Sequence, residues 1–347
     1  MQNKPSISAI DLFCGVGGLT MGLAQSGIKV NVGVDIDPNC EYAYSINNKS
    51  KFLLKSVAEL KGSELADKFT SGALKLMAGC APCQTFSTYN QKASADDERW
   101  WLLSHFQRLV KETKPDFVTM ENVPGLTGKD VFRRFHKSLK MQGYHLWFDI
   151  VDCAQYGVPQ SRNRLVLLAS KHGPIELITP RRYAKSPKTV RQAISHLKPI
   201  KAGDSDKLDP VHASCDLSDL NKQRILLSVP GGSWQDWPEE IKAECHKRES
   251  GKTYASVYGR MEWDKPSPTL TTQFYGFGSG RFGHPDQHRA ISIREGAMLQ
   301  TFPKNYKFFP TDKPLGFKPL GRLIGNAVPV KLGKVIGQSI IRHANSL

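Results

Sequence analysis

The chain has 347 residues, 39% hydrophobic and 23% charged, which suits a globular protein with a large core and room for two domains. Its formal net charge is +16, and without a run of about 18 apolar residues it offers no membrane-spanning helix. Seven irregularly spaced cysteines fit a reduced cytoplasmic protein rather than a disulfide scaffold, and the start, MQNKPSISAIDLF, lacks the basic-then-apolar pattern of an export signal.

Taken in chain order, Ile7 to Phe13 reads as a short strand, Gly15, Gly17 and Gly18 as a tight turn, and Leu19 to Gln25 as a helix closed by Gly27. IKVNVGVDIDPNC is a second strand ending in Asp35 and Asp37, and ALKLMAG is a strand that runs into GCAPCQTFS. DDERWWLLSHFQRLVKETKP is a helix, with Leu102, Phe106, Leu109 and Val110 on one face. DFVTMENV is a strand stopped by Pro124-Gly125, DVFRRFHKSLKMQGY a helix, and HLWFDIVD and RLVLLAS are strands. This alternation predicts a doubly wound α/β sheet over the first 170 or so residues. Beyond about Lys171 the chain turns rich in Pro, Gly, Lys and Arg. Trp234, Trp237, Tyr254, Tyr258 and Trp263 offer this stretch a small core, so it reads as an irregular second domain. GNAVPVKLGKVIGQSIIRHA reads as a turn and an amphipathic helix that returns to pack beside the glycine turn.

Charge separates the two halves. Residues 1–150 carry 18 Lys and Arg against 15 Asp and Glu; residues 151–347 carry 30 against 17. A nearly neutral front and a strongly basic back suggest that a polyanion docks on the back half, with nucleic acid the natural candidate.

In open α/β sheets ligands bind beyond the carboxyl ends of the strands, where Asp11-x-x-x-Gly15-x-Gly17-Gly18 is expected to lie. Glycines there admit a ligand to the backbone, and Asp35, 20 residues past Gly15, is placed to accept from ribose hydroxyls. A nucleoside cofactor follows; the pattern suits both a nicotinamide dinucleotide and S-adenosylmethionine. Cys80 and Cys83 have C-x-x-C spacing. A redox pair normally opens a helix, whereas this pair follows a strand and precedes a polar loop. A zinc site needs four ligands, and the chain has no second C-x-x-C; His212, Cys215, Cys245 and His246 match no familiar zinc spacing. The better reading is one nucleophile, Cys83, with Pro82 restricting the backbone before it and Cys80 packed at the strand end.

These residues carry a resemblance. DLFCGVGG, GCAPCQTFS, ENV (121–123), QSRNR (160–164), REGAMLQTFP (294–303) and GNAVP (325–329) are similar, in order and spacing, to six motifs of the DNA cytosine-5 methyltransferases. The resemblance runs nearly end to end. It implies that Cys83 adds to C6 of a cytosine flipped out of the duplex. Glu121 serves N3, Arg164 contacts O2, and Arg162 supports the loop of the nucleophile. It also implies S-adenosylmethionine as methyl donor, held by Phe13, Gly15, Gly17, Gly18, Asp35, Ile36, Pro82, Leu102, Asn326 and Ala327. Ser56 and Val57 stand where the family often has Asp-Ile, which bears on adenine selectivity. Gln84, Ser87 and Gln160 are the implied DNA contacts near the cleft, and Arg181, Arg182, Lys188 and Arg191 are candidates on the basic domain.

The expected architecture is a methyltransferase domain of residues 1–172 and 318–347 with a target-recognition domain at 173–317. The expected partners are duplex DNA and a restriction endonuclease acting on the same site. A monomer in the bacterial cytoplasm, holding no metal, is expected. A tRNA methyltransferase and a catalytically silent DNA-binding relative are the rival readings. The length of the 171–285 stretch disfavours the first, and the intact Cys83, Glu121 and Arg164 disfavour the second.

Overall fold

The computed structural model describes residues 5–82, 102–182, 186–251 and 255–347. They fall into two compact units. Met1–Tyr156, Asn163–Lys185 and Ala327–Leu347 form the first, Gly157–Arg162 and Ser186–Asn326 the second.

The first unit is built on β1 (Ile7–Leu12), α1 (Gly18–Ser26), β2 (Lys29–Asp35), α2 (Glu41–Asn47), β3 (Lys51–Leu54), α3 (Gly62–Ala66), β4 (Leu74–Gly79), α4 (Leu102–Thr113), β5 (Phe117–Asn122), α5 (Asp130–Met141), β6 (His145–Asp152) and β7 (Asn163–Ser170). The seven strands form one sheet in the order β3-β2-β1-β4-β5-β7-β6. The first five are parallel; β7 enters antiparallel to β5, and β6 pairs antiparallel with β7. After β3 the chain crosses back past β1, so the carboxyl ends of β1 and β4 flank the topological switch point, the usual ligand crevice of such sheets.

All six residues of β1 are buried, the polar Ser8 and Asp11 included, because the strand is covered on both faces. Ile10 and Leu12 join Phe106, Leu109 and Phe135 of α4 and α5 in the main core. Between them Asp11 accepts a hydrogen bond from Thr20 of α1 at 2.6 Å. The helix Val330–Ala344 packs on α1, as the sequence predicts. The approach is close because Gly22 lacks a side chain: a Cβ there would lie 2.3 Å from the Val330 carbonyl oxygen. Gly27 ends α1 at φ +101°, a conformation that favours glycine.

The second unit holds α6 (Val190–Ile194), a two-stranded ribbon of β8 (Ser205–Asp206) and β9 (Asp209–Ala213), α7 (Asp219–Leu227), α8 (Glu244–Lys247), α9 (Ile293–Leu299) and α10 (Phe317–Gly325). The last helix, α11 (Val330–Ala344), returns to the first unit. The sequence division at residue 318 assigns most of α10 to the first unit. The structure packs it with the second, where Gln300 at the end of α9 donates to the Ile324 carbonyl at 3.0 Å.

Trp234 and Trp237 do form a small core, with Leu217, Ile225, Phe277 and Ala290; Tyr258 packs against it. Trp263 lies apart and donates its indole N–H to Asp286 at 2.7 Å. Tyr254 lies outside the described residues. A zinc site does not form from His212, because both ring nitrogens are engaged, with the Ser292 hydroxyl and the Lys198 carbonyl, each at 2.8 Å. Among the described residues no cluster of three His, Cys, Asp or Glu could hold a metal ion.

The unit is fastened by a buried ion pair. Arg289 clasps both carboxylate oxygens of Glu295 at 2.7 Å, and Glu295 also accepts the Ser292 N–H, closing a capping box at the start of α9.

Candidate active site at the carboxyl ends of the strands

Three neighbouring strands place one buried carboxylate. Glu121 is the penultimate residue of β5 and is 2% exposed. On one side β4 runs parallel with Gly79 opposite Met120, so the next residue, Cys80, arrives beside Glu121. Its thiol donates to Glu121 Oε2 at 2.9 Å. On the other side β7 runs antiparallel, and its second residue, Arg164, lies at the same end of the sheet as the last residues of β5. Arg164 Nε stands 3.0 Å from Glu121 Oε1 in a largely buried ion pair, and Nη1 donates to the Asn163 carbonyl at 2.7 Å. Only the antiparallel entry of β7 brings the start of a strand beside the ends of β4 and β5.

Asn122 steadies the segment that leads to Cys83. Its side-chain amide donates to the Ala81 carbonyl at 3.0 Å, and its oxygen accepts the Val123 N–H at 2.8 Å. Sequence reasoning used Asn122 only as part of a motif; its adjacency to Glu121 was the available signal. Cys83, Gln84 and Ser87 themselves lie outside the described residues.

Two strands away lies the glycine turn. Phe13, Gly15 and Gly17 all have positive φ, at 58°, 52° and 89°. For phenylalanine that conformation costs roughly 1–2 kcal/mol, a local strain of the kind that ligand sites retain. A Cβ on Gly15 would meet nothing within 4 Å among the described residues, which leave space above the turn. Asp35, at the end of β2, accepts the N–H of Gly15 at 2.8 Å and of Asp37 at 2.9 Å, fixing its carboxylate against the turn. Burial raises its pKa against these hydrogen bonds. Ile36 projects its side chain to solvent, 69% exposed, next to that carboxylate. Beneath the turn Asp11 is buried with one oxygen on Thr20 and the other, Oδ1, without a hydrogen-bond partner among the described residues. Burial, opposed by the Thr20 hydrogen bond and reinforced by the charge of Asp35, pushes its pKa up to about 7.

The family profile for C-5 cytosine-specific DNA methylases matches residues 7–342. The chain belongs to that family. It is 51% identical to the type II methylase M.HgiDII of Herpetosiphon aurantiacus, over 98% of this chain and 96% of that one. It is 30% identical to the type II methyltransferase M.Sau96I of Staphylococcus aureus, over 99% of this chain and 78% of that one. The crystal structure of an E. coli prophage protein described as a DNA modification methyltransferase superposes with a TM-score of 0.75 at 24% identity. The match covers 97% of this chain and 99% of that one, a likeness of fold.

The chain is thus a DNA (cytosine-5)-methyltransferase, of a family that uses S-adenosylmethionine. The remaining residues expected at this methylase's site fall in several places. Pro82 is exposed just past Ala81, and Leu102 opens α4 half-buried. Gly18 begins α1. Ser56 accepts the Ala58 N–H at 3.3 Å, which leaves its hydroxyl proton free to donate. Val57 departs from expectation: its side chain is 3% exposed and joins the main core, so it presents no surface to a ligand. Asn326 is exposed and caps α10 in the second unit, while Ala327 begins the return into the first.

Gln160 and Arg162 also depart from expectation. Gln160 is fully buried; its oxygen accepts the Leu270 N–H at 3.0 Å and its nitrogen faces Gln300 Oε1 at 3.2 Å. It has no edge to offer DNA. Arg162, 3% exposed, donates to the Leu270 and Gly325 carbonyls and to Gln160. Two residues of one motif therefore tie the second unit together, while Arg164 alone faces Glu121. Residues two apart on one extended segment would share a side, but the chain leaves the second unit after Arg162 and enters β7 at Asn163, so Arg164 takes its direction from the sheet.

Proposed function

We propose that this methylase moves the methyl group of S-adenosylmethionine to C5 of a cytosine flipped out of a specific duplex sequence, through a transient bond between Cys83 and C6. The observation that carries this reading is the buried Glu121, held by Arg164 and Cys80 at the strand ends beside the segment that enters Cys83. Cytosine C5 is a weak nucleophile. Addition of the Cys83 thiolate to C6 makes C5 enamine-like and drives charge toward N3 and O2. Glu121 meets N3 as a proton donor or hydrogen-bond partner, and the Arg164 guanidinium faces O2. Once C5 carries the methyl group, loss of its proton and expulsion of Cys83 restore the ring. The bound cofactor supplies an electrophilic methyl group.

The glycine turn fits that cofactor. Space above Gly15, a fixed Asp35 carboxylate and the exposed Ile36 side chain suit a methionine, a ribose and an adenine face. The unpaired Asp11 oxygen suits a nearby cation. A bound cation lowers the pKa of Asp11, so binding should tighten as pH rises through about 7, by up to about tenfold per pH unit below it. Calorimetric titrations between pH 6 and 8 should show this trend and proton release near pH 7. Asp11→Asn should flatten it. A wild-type affinity that is level across that range would sever Asp11 from cofactor binding.

Duplex DNA is assigned to the basic second unit. Of the arginines singled out there, Arg191 is already engaged: Nε and Nη2 bind Asp264 at 2.7 and 2.9 Å. Arg181 is exposed but belongs to the first unit. Similarity to type II methylases supports a restriction–modification setting, and we assign to it a cognate endonuclease that cuts the same unmethylated site. We assign it to the bacterial cytoplasm as a monomer.

The test uses 5-fluorocytosine. Fluorine cannot leave C5 as the proton does, so the Cys83 adduct should be trapped once the methyl group has moved. A duplex carrying 5-fluorocytosine at the recognition sequence, with methyl donor, should give a denaturation-stable complex that Cys83→Ser abolishes. No complex with wild type, or an undiminished one with Cys83→Ser, overturns the covalent mechanism.

A further inference from the structure

We propose that Cys80 is a positioning residue for methyl transfer. In the free enzyme its thiol holds one oxygen of Glu121, and it yields that oxygen to the incoming base. This rests on the role given to Glu121 above.

With Cys83 read as the lone nucleophile, the C-x-x-C spacing leaves Cys80 without a task. The structure supplies one. Cys80 follows β4 directly, and strand register sets it beside Glu121 rather than in the apolar core. The two oxygens of Glu121 then meet very different partners. Arg164 stands 3.0 Å from Oε1 and brings a fixed charge. Cys80 donates to Oε2 at 2.9 Å through a thiol, a weak donor. Oε1 thus faces a charge but has no hydrogen-bond partner among the described residues, and Oε2 takes one weak hydrogen bond.

A carboxylate with a 3% exposed side chain is costly to leave without donors, and the Cys80 thiol gives it the hydrogen bond that orients it in the free enzyme. It must also release one oxygen when substrate arrives. An N–H on the pyrimidine edge is a stronger donor than S–H, so the exchange favours the base while the carboxylate keeps its orientation. An apolar residue at position 80 would leave Oε2 unsatisfied and free to rotate away. A packing role, by contrast, would depend only on side-chain volume.

The test compares variants of similar size. Cys80→Val lacks a donor; Cys80→Ser keeps one. Steady-state methylation of a duplex bearing the recognition sequence should show kcat reduced about tenfold or more in Cys80→Val, because small misplacements of a reacting group are costly. KM for DNA and for methyl donor should stay within about twofold. Cys80→Ser should recover kcat to within about threefold of wild type. Wild-type kcat in Cys80→Val, a loss confined to KM, or a serine variant no better than valine overturns the proposal. Should Cys80→Val fail to fold, Cys80→Ala against Cys80→Ser makes the same comparison. Glu121→Gln is measured alongside. If it keeps full activity, the role of Glu121 itself is wrong. If it is inactive while Cys80→Val matches wild type, only the role of Cys80 falls.

Discussion

Glu121→Gln should lower kcat by roughly two to four orders of magnitude, the range expected when a proton-handling group in a transition state is lost. The substitution is close to isosteric, so the amide should occupy the same buried slot, and its oxygen can still accept from Cys80. Two things disappear. The ion pair with Arg164 is gone, leaving that guanidinium without its 3.0 Å counter-charge in a largely buried place. The group also loses the ability to give or take a proton at N3 as C6 is attacked. Cofactor affinity should change little, because Asp11 and Asp35 lie on β1 and β2, with β4 between them and β5. Single-turnover methylation with labelled donor, paired with calorimetric cofactor binding, separates the two effects. Activity within tenfold of wild type would remove Glu121 from the chemistry.

The second large effect is on stability. Glu295→Gln should cost about 3–5 kcal/mol, read as a lower urea midpoint, because it strands the fully buried Arg289 without its counter-charge. The same pair dictates behaviour in acid. Burial alone would raise the pKa of Glu295, but the Arg289 hydrogen bonds and charge, helped by His284 and the Ser292 N–H, hold it at about 2. A carboxylate depressed in the folded state stabilises above its unfolded value of 4.5 and loses that contribution as pH falls toward 2. His284, 3.6 Å from Glu295, has its pKa pushed down to about 4, chiefly by burial. Between pH 6.5 and 4 the unfolded chain takes up a proton there that the folded chain refuses, so stability falls as pH drops through that range. Urea midpoints should therefore decline from pH 6.5 downward, and His284→Gln should flatten the upper part of the decline. A loss below about 1 kcal/mol for Glu295→Gln would mean that the pair is not the fastening described.

Much of this was legible along the chain because its causes are local. Apolar runs marked the strands of the main sheet, except the four residues of β3, too short for a clear pattern. The glycine turn and the Gly27 stop were visible because backbone conformations at positive φ favour glycine. The family was legible because six motifs resemble its own in order, and that resemblance names Cys83 as the candidate nucleophile and Glu121 as its candidate acidic partner.

Residue types and spacing determined the α/β class, the glycine turn, the basic back half and the candidate Cys83; the resemblance added Glu121 and Arg164. Tertiary structure decided which candidates meet. Cys80 and Arg164 reach Glu121 across 41 and 43 residues of chain, because β4 and β7 border β5. Gln160 and Arg162 turn inward to backbone groups more than 100 residues away, so a motif that reads as one unit divides its work between two compact units. Short-range geometry is written in neighbouring residues; strand order and the direction of β7 emerge only when distant segments compete for the same buried surface.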